Sequence, residues 1–273
     1  MDLSRGKSPA NNTVAMAEIE HISIVPNYNR GFTFSWVVSR ELSDPAPWTF
    51  IVQSGMSYDG PWSDLSIPLI NQYAWQQPER MLAPKDPVLY FRVKMVTPSA
   101  TYYSDIRSPY SDLSRAEFLQ AREIMRNEVV QARLKTGVEC YIWSKAVIGP
   151  KCTSCTDPVT GAVIDPDCSE CYGTGVIPGY HGPYDAWAVF TPSNRDKGLK
   201  GDNLGVHEDY AYGVRMVGCP IVKKDDVLID TRSDKRYYIN RVQNLFELRR
   251  VPLVQQIEAR EAPTSANIYN LGE

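Results

Sequence analysis

Four of the six cysteines lie within 20 residues of one another, in the segment KCTSCTDPVTGAVIDPDCSECYGTG. They form two C-x-x-C pairs separated by 12 residues, Cys152 with Cys155 and Cys168 with Cys171. A two-residue spacing lets both sulfurs of a turn point at one ion about 2.3 Å away, and two such turns complete a tetrahedron. The spacing therefore predicts one zinc ion per chain, held by these four thiolates.

All four predicted ligands are thiolates, so the site has no open position for water or substrate and is expected to be structural. Two disulfides or an iron–sulfur centre are the alternatives. Redox chemistry matches less well, because a redox motif is a single C-x-x-C at the start of a helix. Asp-Pro and Gly turns between the pairs indicate a zinc-ribbon-like insert over residues 150–177 with a short strand at 162–164. Cys140 and Cys219 are expected to be buried as small hydrophobic residues.

The whole-chain composition narrows the classes of function. With 273 residues, two domains are expected. The net charge of −3 argues against a general nucleic-acid-binding protein, which carries a basic stripe. No apolar run is long enough to span a membrane. The N-terminus has no apolar core of signal-peptide length, so we expect a reducing compartment, which favours a metal over disulfides.

The amino-terminal part is predicted to be a β-sandwich over residues 15–110, preceded by a flexible arm at 1–14. Apolar and polar residues alternate in FTFSWVV, WTFIVQSGM and PVLYFRVKMVT, and turn residues separate these runs. The stretches FSW and YFRVKMVT, followed by SATYYSDIRSPYSD, resemble a fibronectin type III domain. The resemblance implies that Trp36 packs in the core and that Arg92-Val93 is the R-V step of the sixth strand. Leu89 departs from the pattern, because a Tyr is usual there.

A long helix is predicted within residues 111–139. Ser114 and Glu117 have the spacing of a capping box at its start. Five apolar residues recur at spacings of three and four and form one stripe: Phe118, Ala121, Met125, Val129 and Ala132. The stripe is compatible with packing on the next domain of the same chain and with joining two subunits.

The carboxy-terminal half is predicted to be a small β-barrel over residues 140–260. It includes a hairpin at 225–242 whose strands flank the polar turn TRSDK. The last residues, 261–273, are small and polar, and are expected to form an extended arm that orders only against partners. The predicted fold class is mainly β, with a fibronectin type III-like sandwich, a linking helix and a barrel that carries the zinc insert.

A second resemblance covers about residues 111–260. The cysteine segment, followed by DDVLIDTRSDKRYYINRVQNLFELRRVPLVQQIEARE, is similar to neck proteins of tailed-bacteriophage virions, in the head–tail connector or head-closure layer. The resemblance implies a structural virion protein that forms a ring of six or twelve copies. It also implies contacts with neighbouring neck, portal or tail proteins, at most non-specific DNA contact and no membrane. Assembly would occur in the host cytoplasm, and no enzymatic activity is expected.

Other hypotheses remain open from sequence alone. The cysteine pairs are compatible with a nucleic-acid-associated zinc-ribbon protein, although no Lys/Arg cluster lies near them. An enzyme would need a catalytic set, for which the candidates are His181 or His207 with Asp185, Glu208 or Asp209. A carbohydrate-binding or adhesion protein is the last alternative. No nucleophile elbow, phosphate loop or H-E-x-x-H motif is present.

Overall fold

The computed structural model describes residues 19–28, 31–38, 47–77, 89–110, 112–147, 149–192, 200–202, 205–207 and 211–272, with backbone alone over 192–211. The flexible arm predicted for residues 1–14 lies outside these ranges. No helix in the described ranges is both long and apolar enough to cross a membrane.

The described residues of the amino-terminal part form eight strands. Their bounds are Ile19–Pro26 (β1), Phe32–Val38 (β2), Thr49–Gly55 (β3), Trp62–Asp64 (β4), Leu69–Ile70 (β5), Ala74–Gln76 (β6), Tyr90–Val96 (β7) and Thr101–Tyr103 (β8). One sheet has the order β1-β2-β6, and the other has the order β4-β3-β7-β8 with β5 paired to β3. The described pairs are antiparallel. The predicted sandwich is confirmed.

The alternation of apolar residues decides which strand faces are buried. In β7, Phe91, Val93 and Met95 point into the core, while the residues between them stay partly exposed. Trp36 is buried as expected, and its ring centroid lies 5.5 Å from that of Phe50 in the opposite sheet. Aromatic contacts of this kind fill the space between the two sheets.

The predicted helix is present as α1, Arg115–Leu134. Ser114 caps it: its side chain accepts from the backbone amide of Glu117, whose carboxylate accepts from the backbone N–H of Ser114 at 2.8 Å. The five stripe residues are the buried residues of the helix, and four of them, all except Ala132, share one core cluster with Val25 of the sandwich and Leu253 of the barrel. The stripe is therefore covered by the same chain and is not left for another subunit.

The carboxy-terminal part is a closed six-stranded barrel with strand order β10-β13-β16-β15-β14-β9. Its strands are Val138–Lys145 (β9), Tyr180–Pro192 (β10), Ala211–Val217 (β13), Val227–Asp230 (β14), Arg236–Leu248 (β15) and Val251–Glu261 (β16). Lys200–Asp202 (β11) and Gly205–His207 (β12) form a separate two-stranded ribbon. The predicted hairpin is β14–β15, and the cysteine insert joins the paired strands β9 and β10.

Direct contacts also join the sandwich to the barrel. Thr33 Oγ1 lies 2.7 Å from the sulfur of Cys219, and Gln72 Nε2 donates to the hydroxyl of Tyr184 at 2.5 Å. Cys140 and Cys219 are both buried, as predicted for small hydrophobic residues. Together with the shared cluster under α1, these contacts hold the two parts in one arrangement.

The prediction of an extended arm at residues 261–273 is wrong for the described part of that segment. Asn267–Asn270 form a 3-10 helix, and Ile268 and Leu271 are buried in a cluster at the barrel wall. The guanidinium of Arg236 is buried there and donates through Nη1 to the carbonyl oxygens of Ile268 and Leu271. A buried cation needs acceptors, and this segment supplies them, so the segment is ordered by its own chain.

Replacing Arg236 by Gln tests this packing. Arg236→Gln removes the charge and the reach to two carbonyl oxygens, and hydrogen bonds to charged groups contribute about 1.5–3 kcal/mol each. We expect residues 262–272 to become sensitive to limited proteolysis, as read by mass spectrometry. Lys235→Gln is the matched control, because Lys235 makes only a half-exposed pair with Glu261 at 2.9 Å. Equal protection of the segment in both variants would contradict the assignment.

Candidate metal centre

The insert over residues 150–177 has little regular structure. A few backbone hydrogen bonds hold its two cysteine turns. At the first pair, Cys152 N donates to Gly175 O at 3.0 Å and Ile164 N donates to Cys155 O at 2.8 Å; at the second pair, Tyr172 N donates to Cys168 O at 2.9 Å. The short strand predicted at 162–164 is reduced to one isolated bridge between Thr156 and Val163. Apart from the four cysteines, only the half-buried Ile177 joins the cluster at its centre. The segment therefore has almost no hydrophobic core of its own.

The four sulfurs converge on one point. All four cysteines are buried, and their Sγ atoms lie within 4.8 Å of one another. The sulfurs of Cys152 and Cys168 are 3.7 Å apart, and those of Cys155 and Cys171 are 3.2 Å apart. A tetrahedral ion with metal–sulfur bonds of about 2.3 Å separates its ligands by about 3.8 Å. None of the six cysteines is in a disulfide. The arrangement can hold one metal ion.

Glycines make the second cysteine turn possible. Gly173 has a φ of +75°, and a Cβ at this position would lie 2.2 Å from the carbonyl oxygen of Pro166. Gly175 also has a positive φ, and its amide donates to the sulfur of Cys171 at 3.3 Å. A side chain at Gly173 would push the turn away from the preceding segment, so the local geometry requires glycine at this position.

Backbone dipoles favour the ionised state of one of the four sulfurs, that of Cys168. Hydrogen bonds from the backbone amides of Cys171 and Glu170 lower the pKa of Cys168 to about 7. Cys155 behaves oppositely: its hydrogen bond with the thiol of Cys171, with burial, raises its pKa. Buried thiolates crowded together repel one another unless a cation lies between them. The site thus favours ionised sulfur only together with a positive ion.

The four sulfurs leave no room at the centre of the cluster for another metal ligand of the usual kinds. The nearest carboxylate is that of Glu170, whose Oε2 lies 3.6 Å from the sulfur of Cys152 and accepts from Ser154 Oγ at 2.7 Å. No other group of three or more His, Cys, Asp or Glu residues in the described part of the chain has metal-binding geometry. With four sulfurs converging, a bound ion would have no position for a reacting molecule.

The two histidines that are candidates for a catalytic set lie in strands β10 and β12. His181 lies in β10 at the joint with the sandwich, where burial lowers its pKa to about 4 against a smaller opposing effect of a hydrogen bond with the backbone of Asn71. Asp185 is on the same strand and is exposed. His207 is in β12, but its side chain lies outside the described residues, as do Glu208 and Asp209.

Sequence reasoning missed the support beneath the insert. Tyr172, directly after the second cysteine pair, contacts the cluster that contains Tyr180, Ile268 and Leu271. The ring centroids of Tyr172 and Tyr180 are 6.2 Å apart. The insert and the carboxy-terminal segment therefore meet in one cluster on the barrel wall. The only signal in the sequence was the aromatic residues that flank the cysteines, with no pattern that links them to Ile268.

Comparisons of the chain with protein-family models, with curated proteins and with solved structures find no match.

Proposed function

We propose that this chain is a structural protein of a tailed-phage virion neck, that it assembles into a ring of identical copies, and that its four cysteines hold one structural zinc ion. The observation that carries the proposal is the position of the insert. It projects from the barrel with Val159 90% and Ile164 71% exposed. Apolar side chains on a small, stapled projection are typical of a contact surface.

Zinc fits the cluster better than the alternatives. A set of four thiolates around a tetrahedral centre is typical of structural zinc. The insert buries only its cysteines and part of Ile177 in this cluster, so it depends on the ion for its folding free energy. The unbonded state of the sulfurs and their separations of 3.2 and 3.7 Å favour an ion over two disulfides.

Contacts within the rest of the fold support the proposal that each copy is a rigid subunit. The helix α1 packs against both the sandwich and the barrel, and the insert packs against the cluster that contains the carboxy-terminal segment. The apolar stripe of α1 and residues 262–272 are both used inside the chain, so neither supplies the contact between copies. Among the described residues, the insert and the exposed faces of the barrel and the sandwich are left to supply the contacts within a ring.

The test is the mass of the native assembly. Native mass spectrometry with negative-stain electron microscopy is expected to show a closed ring of six or twelve copies, reached either by the protein alone or on addition of a neighbouring virion protein. A protein that stays monomeric in both conditions at high micromolar concentration would contradict the ring.

A further inference from the structure

The cluster on the barrel wall joins parts of the chain that lie far apart in sequence. Its buried residues come from β10, β14 and residues 262–272, which we call the tail: Tyr180, Val227, Ile229, Ala262, Ile268 and Leu271. Tyr172, directly after the last cysteine of the insert, is partly buried and packs against the same cluster. The cysteine insert and the tail therefore share one apolar core.

The second cysteine turn lies close against this part of the barrel. Gly179 immediately precedes β10, and a Cβ at this position would lie 2.5 Å from the carbonyl oxygen of Cys171 and 3.1 Å from the ring of Tyr172. Tyr238 of β15 also packs against the cluster, and burial, followed by the carboxylate of Asp167, raises its pKa. The turn that carries two of the four sulfurs is thus in contact with the wall on which the tail is docked.

The tail itself is attached to the barrel by few contacts. Ala262 N donates to Arg236 O at 2.8 Å, and the other backbone hydrogen bonds of the tail found among the described residues lie within the tail. The guanidinium of Arg236 donates to two tail carbonyl oxygens, and its carbon lies 5.1 Å from the ring centroid of Tyr269. A segment held by so few bonds opens locally at a lower free energy than a barrel strand. Its docking is therefore sensitive to changes in the shared core.

We propose that the metal ion in the insert controls the docking of the tail, through the contact of Tyr172 with the shared cluster. The insert has almost no core of its own, so it loses its fold when the ion is removed. Tyr172 then leaves the cluster, and Tyr180 and the tail lose packing partners. The inference rests on the proposed metal site and is independent of the ring.

The coupling works in both directions, as thermodynamic linkage requires. If the ion favours the docked tail by a given factor, the docked tail favours ion binding by the same factor, and couplings of this kind are typically about 5- to 150-fold. Undocking would uncover Val227 and Ile229, which are 0% and 6% exposed in the docked state. Loss of the ion would therefore open an apolar wall that the metal-loaded protein keeps covered.

Amide hydrogen exchange of the full-length protein measures the first direction. We expect residues 266–272 to exchange about 5-fold faster or more after the zinc-loaded protein is treated with a chelator. The strand β7 of the sandwich is the internal control, and its exchange should not change, because its core is separate from the cluster.

Tyr172→Asn tests the route of the coupling. Tyr172 has a φ of +54°, a conformation that Asn accepts readily, so the variant keeps the turn and its four cysteines while it removes the ring. With zinc bound, its tail is expected to exchange about 5-fold faster than that of the wild type, and chelation should add less than about 2-fold. Tyr58→Asn is the matched control, because Tyr58 is 57% exposed on the sandwich. One bound zinc ion per chain would establish that each variant retains the site.

Ile268→Ala tests the reverse direction. Its zinc affinity, measured by competition with a chelator, is expected to fall about 5-fold or more, although residue 268 is remote in sequence from every cysteine of the site. Ile22→Ala is the matched control, because it makes the same truncation at a side chain that is 3% exposed in the sandwich core, against 1% for Ile268. Its zinc affinity should stay within about 2-fold of the wild type.

Each other outcome contradicts a defined part of the account. A zinc-loaded protein whose tail exchanges equally fast after chelation, or an Ile268→Ala variant with wild-type zinc affinity, would overturn the coupling and leave the metal site standing. A Tyr172→Asn variant that binds zinc and keeps the wild-type response would overturn the route through Tyr172. A wild-type protein that binds no zinc would instead contradict the metal site.

Discussion

Removing the metal ion is expected to unfold residues 150–177 while the barrel and the sandwich keep their structure. The four cysteines and part of Ile177 are the whole cluster at the centre of the insert, so nothing else there offsets the loss of metal–sulfur bonds. Structural zinc contributes on the order of 10 kcal/mol to the folding of such small modules. The barrel and the sandwich have separate hydrophobic cores and should be largely unaffected.

Thiol labelling under native conditions measures this effect with an internal control. After chelation, Cys152, Cys155, Cys168 and Cys171 should react with a thiol reagent, while the barrel cysteines should stay protected. Cys140 and Cys219 are fully buried, and burial raises the pKa of each to about 12. Four reactive thiols per chain are expected without metal and far fewer with it. Six reactive thiols, or no change on chelation, would contradict a local structural role of the ion.

The second large effect is expected for Trp36→Ala, which should lower the free energy of unfolding of the sandwich by about 3–5 kcal/mol. Trp36 is buried between the two sheets, and its Nε1 has no hydrogen-bond partner, so the loss is one of packing. Val37→Ala is the matched control: the neighbouring side chain is 53% exposed on the same strand, and its truncation should cost little.

Denaturant unfolding followed by Trp fluorescence and by amide exchange of β1–β8 separates the two variants. Trp36→Ala should move the transition of the sandwich to lower denaturant, and Val37→Ala should leave it within about 0.5 kcal/mol of the wild type. A loss below about 1 kcal/mol for Trp36→Ala would mean that the space between the sheets can close without this side chain.

Local sequence patterns predicted the strands and the helix well where the apolar residues follow a single period. Alternation in β7 identified its buried face, and the Ser114 capping box with its five-residue stripe identified α1. The C-x-x-C spacing predicted that four sulfurs converge on one point, because a tetrahedral metal site restricts how its ligands can be arranged. These signals act over a few residues, and the structure preserves them.

Tertiary contacts were the part that sequence did not predict. The apolar stripe of α1 indicated a buried face but could not indicate that Val25 and Leu253 of the same chain cover it. The segment that ends the chain is small and polar, so it was expected to be extended. Its order depends on Arg236, which is remote in sequence and buried beside the carbonyl oxygens of Ile268 and Leu271.

The central claim is that four thiolates and no other group hold a zinc ion in the insert. X-ray absorption spectroscopy at the zinc edge of protein purified without chelator tests it most directly. We expect about one zinc per chain and a shell of four sulfurs at about 2.3 Å. A shell in which nitrogen or oxygen replaces one or more sulfurs, or metal-free protein with all four sulfurs in disulfides, would contradict the claim.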